Sequence, residues 1–249
     1  MEEFKNTCPA GIYQEEIEIL PEHVNADGDV IPSALACIMQ QVTEAHMRES
    51  GWGYQLLRSK GLLWVIVWTS IEIEESPRLG DKCIVRTWPG ALKLGMYSRR
   101  YIFFSEKGKE LIRTCSLFMV IDETTRKMVL PDDLTRELEE VVVEGQPGLP
   151  RQQIKFPEMT FVQNYSVADD EIDANGHVNN SCYLKWAYNL LEPEYIRGHS
   201  LKYCWAQYGK ELMQGENVEL WYTMQKNELY VKGVSESNIS FLLKMDFSD

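Results

Sequence analysis

Two segments of the chain carry apolar residues at helical spacing, and segments with strand character follow each of them. The first predicted helix runs from Ser33 to Ser50 and ends at Gly51; the second runs from Asn180 to about Leu191 and ends before Pro193. Segments rich in Val, Ile, Thr and aromatic residues, bounded by turn residues, predict strands. These segments are residues 13–20, 62–75, 82–89, 97–104 and 111–122, then 159–167, 201–212, 217–225, 229–235 and 240–247.

The two halves share a motif, which we interpret as an internal repeat. Aligning Asn25 with Asp173, 148 positions later, leads both copies into a predicted helix. The same offset pairs Asp27 with Asn175, Gly28 with Gly176, Asp29 with His177 and Ser33 with Ser181. Because an antiparallel sheet must bury one face, the pattern predicts an α+β fold in which each sheet wraps around a long helix. We predict a first unit over 1–137, a linker over 138–157 and a second unit over 158–249.

Composition and charge exclude several classes of protein. The 249 residues are 44% hydrophobic, enough for a sizeable core, and the net charge of −13 argues against nucleic acid or an anionic membrane surface as a partner. No run of about 18 apolar residues predicts a membrane span. The acidic N-terminus lacks the apolar region of a secretory signal, so a cytoplasmic location is expected. The six cysteines form no C-x-x-C pair, which predicts free thiols and no metal site.

The candidate chemistry lies in residues 172–183, Ile-Asp-Ala-Asn-Gly-His-Val-Asn-Asn-Ser-Cys-Tyr. Asp173, Asn175 and His177 alternate on a tight turn before a helix, where they could accept a proton, polarise a carbonyl and position a water. The alternative is ordinary turn and cap chemistry, with Asn179 and Asn180 capping the helix. The first copy superficially resembles a calcium loop, but it has Val30 and Ala36 where such loops need glycine and glutamate.

Together with the repeat, these residues resemble the acyl-acyl carrier protein thioesterases of plants and bacteria. The resemblance rests on Asp-x-Asn-x-His-Val-Asn-Asn in the second half. In the first half it rests on Gly-Leu-Leu-Trp-Val at 61–65, Pro-Arg-Leu-Gly-Asp at 77–81 and Arg-Thr-Trp-Pro at 86–89. It covers nearly the whole chain and implies tandem hot-dog units, each an antiparallel sheet wrapped around a central helix.

The resemblance also implies a catalytic network of Asp173, Asn175, His177 and Glu211, the last from the Tyr-x-x-Glu segment at 208–211. Glu211 and Asp173 would hold and deprotonate a water, Asn175 would orient the thioester, and His177 would order the network and protonate the departing thiolate. We expect the N–H of Val178 or Asn179, at the helix start, to form the oxyanion hole. Plant members carry a cysteine directly after the glutamate, whereas this chain has Leu212.

The first unit is expected to shape the acyl pocket, because its motif has Asp29 in place of the histidine. We expect Met39, Trp64 and Ile66 to contact the acyl chain, together with Val178 and Asn179. The alternative is that the Met and Trp side chains fill the core.

The predicted function is hydrolysis of fatty acyl thioesters on acyl carrier protein, with no cofactor. The alternatives are an acyl-CoA thioesterase, another hot-dog enzyme, or an inactive acyl-binding module; the intact set of four polar residues argues against the last. Acyl carrier proteins are acidic, so this acidic chain needs a local basic patch. Its candidates are Arg99-Arg100, Arg113, Arg126-Lys127, Lys185 and Arg197. The sequence leaves open whether the protein is a homodimer.

Overall fold

Helices and strands follow one another in the same order in both halves. The computed structural model describes residue 4 and residues 8–140 and 154–248. The first half contains β1 (Tyr13–Glu18), α1 (Pro32–Glu49), α2 (Tyr54–Ser59), β2 (Leu62–Ile73), β3 (Lys82–Lys93), β4 (Met96–Ser105), β5 (Glu110–Asp122), β6 (Met128–Val129) and α3 (Asp132–Glu140). The second half contains β7 (Thr160–Ser166), α4 (Asn180–Tyr188), α5 (Pro193–Gly198), β8 (Ser200–Tyr208), β9 (Asn217–Gln225), β10 (Glu228–Ser235) and β11 (Asn238–Ser248).

One antiparallel sheet runs through both halves. Its strand order is β1-β3-β4-β5-β2-β8-β11-β10-β9-β7, with the short β6 paired to β5. The order of the second half mirrors that of the first, and the halves join where β2 pairs with β8, from Trp68 opposite Gln207 to Glu72 opposite Tyr203. The symmetry follows from the repeat, since each half pairs its strands in the same way.

The two long helices pack against each other and share one core cluster with strands of both halves. Helix α1 begins at Pro32, where proline's fixed φ suits the first helical position, and Gly51 follows its end with a φ of +81°. Leu35 and Ile38 on α1 are almost fully buried. Burial of each such side chain contributes about 1.5–3 kcal/mol, so the helix is held mainly by its apolar face.

The structure confirms the α+β prediction, both central helices and all ten predicted strands, with ends displaced by a few residues. Helix α4 is shorter than predicted: it ends at Tyr188, and Pro193 begins the separate helix α5. The pattern did not predict α2, α3, α5 or β6; of these, α2, α5 and β6 have six residues or fewer, too few for a clear period. Helix α3 crosses the predicted boundary at 137, and residues 141–153 of the predicted linker lie outside the described residues. Within the described ranges no helix is long and apolar enough to cross a membrane.

Candidate active site

The motif turn has the same backbone geometry in both halves. The equivalent bridges pair His177 with Met213 and Asp29 with Arg78. At the centre of the turns, Gly176 has a φ of +82° and Gly28 a φ of +79°. Glycine adopts this conformation without a steric penalty, so the Asn-Gly and Asp-Gly sequences fit the turn. The structure thus confirms the alignment that identified the repeat.

Asp173 closes the turn in the second half. Its Oδ1 accepts hydrogen bonds from the backbone N–H of Asn175 at 2.8 Å and of His177 at 3.3 Å. In the first half, Asn25 Oδ1 accepts the equivalent bonds from Asp27 and Asp29, each at 3.0 Å. The amide oxygen of Asn25 thus makes the same bonds as the carboxylate oxygen of Asp173, so one oxygen of Asp173 is bound within the turn.

Glu211 lies beside His177 at the end of β8. The Oε2 atom of Glu211 is 3.6 Å from His177 Nε2, and the two side chains are 36% and 17% exposed. This separation is longer than a hydrogen bond, as is common for catalytic pairs without substrate. The turn into Glu211 requires Gly209, since a Cβ atom there would lie 2.3 Å from the Ile239 carbonyl oxygen. The close backbone approach therefore positions the carboxylate.

Asn175 presents a carboxamide to the same place. Its Nδ2 is 3.5 Å from Asp173 Oδ2, while its Oδ1 is buried and has no hydrogen-bond partner among the described residues. A buried amide oxygen without a partner is costly, so the side chain is poised for a further polar contact.

Two arginines of the first half reach into this site. Arg126, in the turn after β5, forms an ion pair with Glu211 through the same Oε2 atom that faces His177. Arg58 on α2 donates to the Ala174 carbonyl oxygen at 2.9 Å, and Tyr54 donates to the same oxygen at 3.1 Å. The first half thus contacts both the motif turn and Glu211 from outside.

The start of helix α4 corrects the predicted oxyanion hole. The N–H of Val178 donates to the Leu212 carbonyl and that of Asn179 to the Glu171 carbonyl, both at 2.9 Å. Neither is free for a substrate, so that prediction is wrong. The N–H of Asn180, the first helical residue, donates to no group among the described residues. At the aligned position the first half has Pro32, which has no N–H.

The Asn179 side chain has structural partners. Its Oδ1 accepts from the Ser181 N–H at 2.9 Å, which caps α4, and its amide exchanges hydrogen bonds with Gln40 on α1 at 3.1 and 3.3 Å. The capping alternative therefore describes this side chain, although Asn179 also borders the cavity described next.

A cavity of about 290 Å³ runs from the motif turn into the first half. Its walls come from α1, α2, β2, β4 and β5, and its mouth from the motif turn and the end of β8. It is lined by all nine predicted site residues: Asp173, Asn175, His177, Glu211, Val178, Asn179, Met39, Trp64 and Ile66. The structure therefore brings together residues that lie in four separate parts of the sequence.

The corresponding place in the first half is closed by an ion pair. Asp29 Oδ1 is 3.0 Å from Arg78 Nη1, and Ser76, aligned with Glu211, accepts from the Val30 N–H at 3.1 Å. The described residues of the first half have Asp29, Ser76 and Pro32 at the positions aligned with His177, Glu211 and Asn180, so the polar set belongs to the second half.

Two family models together match most of the chain. The model described as "Acyl-ACP thioesterase N-terminal domain" matches residues 11–138, and "Acyl-ACP thioesterase C-terminal domain" matches residues 154–243. The chain belongs to the acyl-ACP thioesterase family. This confirms the resemblance read from the sequence.

Solved structures share the fold of this family member. An acyl-ACP thioesterase from Bacteroides thetaiotaomicron aligns with a TM-score of 0.87 and 22% identity, covering 96% of this chain and 98% of that one. The 12:0-ACP thioesterase from Umbellularia californica aligns with a TM-score of 0.86 and 19% identity, covering 97% and 98%. The predicted tandem hot-dog fold is confirmed.

Curated relatives are longer than this chain. A chloroplastic palmitoyl-acyl carrier protein thioesterase from Gossypium hirsutum is 23% identical over 94% of this chain and 60% of its own length. A chloroplastic dodecanoyl-[acyl-carrier-protein] hydrolase from Umbellularia californica is 25% identical over 80% and 56%. The chain spans somewhat more than half the length of the curated relatives it matches.

The residue after Glu211 departs from the plant pattern in a way the structure explains. Leu212 is fully buried in the core.

All six cysteines are free; Cys182, near the motif turn, has its pKa raised to about 11, chiefly by burial. Burial disfavours the thiolate, so this thiol is a poor nucleophile. Cys37 is exposed although its neighbours Ala36 and Ile38 are apolar and buried. The described residues contain no group of three side chains suited to a metal.

The structure also corrects part of the predicted basic patch. Arg99 is only 5% exposed, so it is unable to meet a partner protein, and Arg113 pairs with Glu110 at 2.6 Å. Alternation along β4 shows why: Arg99 shares its inward face with Tyr97 and Tyr101.

The sequence analysis did not identify Arg58 or the Asn180 N–H as groups of the site. The Asn180 N–H could have been found from the alignment of the halves, which places Pro32, a residue without an N–H, opposite Asn180.

Proposed function

We propose that the chain hydrolyses acyl thioesters carried on acyl carrier protein and releases the free acid. The observation that carries the proposal is the meeting of Glu211, His177, Asn175 and the free Asn180 N–H at the mouth of one cavity. Family membership supports the reaction type and the carrier. The curated relatives are named for hydrolysis of acyl carrier protein thioesters.

In the proposed reaction, Glu211 is the base. Arg126 and His177 both face its Oε2, which leaves Oε1 to accept a proton from a water. The water oxygen attacks the thioester carbon, and the developing oxyanion accepts hydrogen bonds from the Asn180 N–H and the Asn175 amide. The carbon–sulfur bond then breaks, and the proton that Glu211 took from the water passes through His177 to the thiolate, which returns Glu211 to its carboxylate form. Because a thiol has a pKa near 8.5, it leaves more readily than an alcohol.

Asp173 has a positioning role in this scheme. One of its oxygens holds the turn that carries Asn175 and His177. Glu211 alone is therefore the proposed base, and Asp173 orients Asn175 and His177.

The acyl chain is proposed to enter the first half of the molecule. Met39, Trp64 and Ile66 line the cavity beyond the catalytic turn. Trp64 contacts Tyr97 and Phe118 edge to face, which makes a rigid wall. Each CH₂ accommodated is worth about 0.8 kcal/mol, so this wall sets the preferred chain length.

Two neighbouring loops of the first half are proposed to meet the acidic carrier protein. Arg58 at the end of α2 and Lys60 just after it belong to one, and Arg126 and Lys127 lie in the other. The two segments join through a hydrogen bond from the Glu123 N–H to the Gly61 carbonyl at 2.8 Å. Because Arg58 and Arg126 also contact the catalytic turn and Glu211, these positive charges surround the cavity mouth. A local patch of this kind attracts an acidic partner despite the net charge.

The function is tested by measuring free acid released from acyl carrier protein and CoA thioesters of several chain lengths. Glu211→Gln and His177→Ala should each lower kcat about 10²-fold or more. Asp29→Ala, at the position aligned with His177, is the matched control and should change kcat less than about 10-fold, because its half lacks the reactive groups.

Carrier selectivity needs its own comparison. The double charge reversal Lys60→Glu with Lys127→Glu should raise KM for the carrier protein substrate several-fold and leave a small thioester unaffected. Equal turnover of CoA and carrier protein substrates would favour the acyl-CoA alternative. No hydrolysis of any thioester by the folded protein would refute the proposed activity. The predicted cytoplasmic location and any homodimer stay predictions.

A further inference from the structure

One wall of the acyl cavity is polar. Arg99 lines the cavity from β4, together with Thr43 and Gln40 from α1, Tyr101 from β4, Ser116 from β5 and Thr69 from β2. Thr43 Oγ1 is 2.6 Å from the Tyr101 hydroxyl, and Thr69 Oγ1 is 2.9 Å from Ser116 Oγ. A cavity that held only an alkyl chain would gain nothing from these groups, since apolar side chains would fill the wall at lower cost.

Arg99 is the cationic side chain of this polar wall, and it is 5% exposed. Glu44 on α1 also lines the cavity, and it accepts from the Tyr54 N–H at 3.2 Å. Its Nη1 is 3.0 Å from His46 Nδ1 and donates to Thr87 Oγ1 at 3.3 Å, and its Nη2 donates to Met47 Sδ at 3.0 Å. Burial lowers the pKa of His46 to about 4, so His46 is neutral near pH 7 and accepts from the guanidinium. All three partners are thus uncharged.

Among the described residues, the positive charge of Arg99 consequently has no ion-paired carboxylate. Within residues 8–140 and 154–248 no carboxylate pairs with it, and burial lowers its pKa. The guanidinium has five N–H donors, of which the three named contacts use three. The nearby end of helix α1 offers a partial negative charge, but that effect is smaller than the cost of burying an ion.

The sheet register places Arg99 deep in the cavity. Arg99 lies opposite Ser116, Ser116 opposite Thr69, and Thr69 opposite Ala206 on β8. Neighbouring strands are about 4.8 Å apart, so Arg99 lies about 14 Å along the sheet from the strand that leads to Glu211. A thioester at Glu211 would bring the distal part of its acyl chain to Arg99.

We propose that Arg99 and the hydroxyl groups around it bind an oxygen atom carried on the acyl chain away from the thioester. The preferred substrate is then an oxygenated acyl thioester, with a hydroxyl, oxo or terminal carboxylate oxygen accepting from the guanidinium. This inference rests on the proposed thioesterase function. A hydrogen bond to a charged group in a buried site gives about 10- to 100-fold discrimination against the chain that lacks the oxygen.

The test compares acyl thioesters of one length that carry no oxygen, a hydroxyl or oxo group at successive distal positions, or a terminal carboxylate. The wild type should show at least about 10-fold higher kcat/KM for one oxygenated position than for the plain chain. Preference for the carboxylate alone identifies an anionic ligand; preference for hydroxyl or oxo chains identifies a neutral acceptor. Arg99→Met should lower kcat/KM for the oxygenated chain to the value for the plain chain in the same variant.

Arg100→Met is the matched control, because Arg100 follows Arg99 on β4 and is absent from the cavity wall. It should retain the preference. If Arg99→Met does not fold, the wild type alone decides: oxygenated free acids should raise its Tm more than plain acids of equal length, at equal concentration. Equal kcat/KM and equal Tm shifts for plain and oxygenated chains would overturn the inference, as would a preference that persists in folded Arg99→Met. Absence of all hydrolysis refutes the proposed function but leaves the Tm comparison to test the subsite.

Discussion

Replacing Asn180 by proline should remove the proposed oxyanion donor with little other change. The N–H of Asn180 donates to no described group, so its loss breaks no hydrogen bond within the described protein. Proline is well tolerated at the first helical position, and the first half already has Pro32 there. The preceding residue, Asn179, has φ −60° and ψ 134°, which is compatible with a following proline.

The expected loss in kcat follows from the stabilisation that one N–H donor gives to the oxyanion. Removing one donor from an oxyanion site costs about 10²- to 10³-fold in kcat, or about 2.7–4 kcal/mol. Because the Asn175 amide is a second proposed donor, we expect the lower part of this range, near 10²-fold. Stability should change by less than about 1 kcal/mol, since the helix start is preserved.

The assay is steady-state hydrolysis of one acyl thioester, with urea unfolding as the check on stability. Asn180→Ala is the matched control, because it removes the side chain but keeps the backbone N–H. We expect Asn180→Ala to retain kcat within about 10-fold and Asn180→Pro to fall about 10²-fold at similar KM. A folded Asn180→Pro variant as active as Asn180→Ala would refute the assignment of this N–H.

Three further predictions concern residues around the site. Replacing Cys182 and Cys204 together by Ala should leave most activity, because burial raises the pKa of both thiols; an acyl-cysteine adduct detected by mass spectrometry would contradict this. Arg126→Ala should lower kcat for a small thioester about 10-fold by releasing Glu211, whereas Arg136→Ala, which removes an exposed ion pair with Asp133, should not; equal effects would show that Arg126 has no special role. His46 has a folded pKa of about 4, below its unfolded value near 6.5, so the unfolded state binds more protons between these values and stability falls as the pH drops through that range. Between pH 7 and pH 5 the free energy of unfolding, measured with urea, should fall by about 1 kcal/mol more for the wild type than for a folded His46→Gln variant; this figure allows for the partial exposure of His46. Equal decreases in the two proteins would contradict the assignment.

The sequence by itself determined the repeated fold and the turn that carries the chemistry. Strands and central helices follow from apolar periodicity, and the turn follows from Asp173, Asn175 and Gly176, whose hydrogen bonds join residues two to four positions apart. Such interactions are local, so they can be predicted from neighbouring residues. The alignment of the halves could also be read directly, because one offset matched both the motif and the helix that follows.

Only the tertiary structure decided which groups of the first half complete the site. Arg126 reaches Glu211 across 85 positions of sequence, and no local pattern signals this contact. Arg99 and Arg100 are chemically identical neighbours, yet the register of β4 turns Arg99 inward to the cavity and leaves Arg100 outside its wall. A shift of one residue would reverse them. The free N–H at the helix start is likewise decided by packing. The carbonyl oxygens of Leu212 and Glu171 accept from the N–H groups of Val178 and Asn179, whereas no described group accepts from that of Asn180.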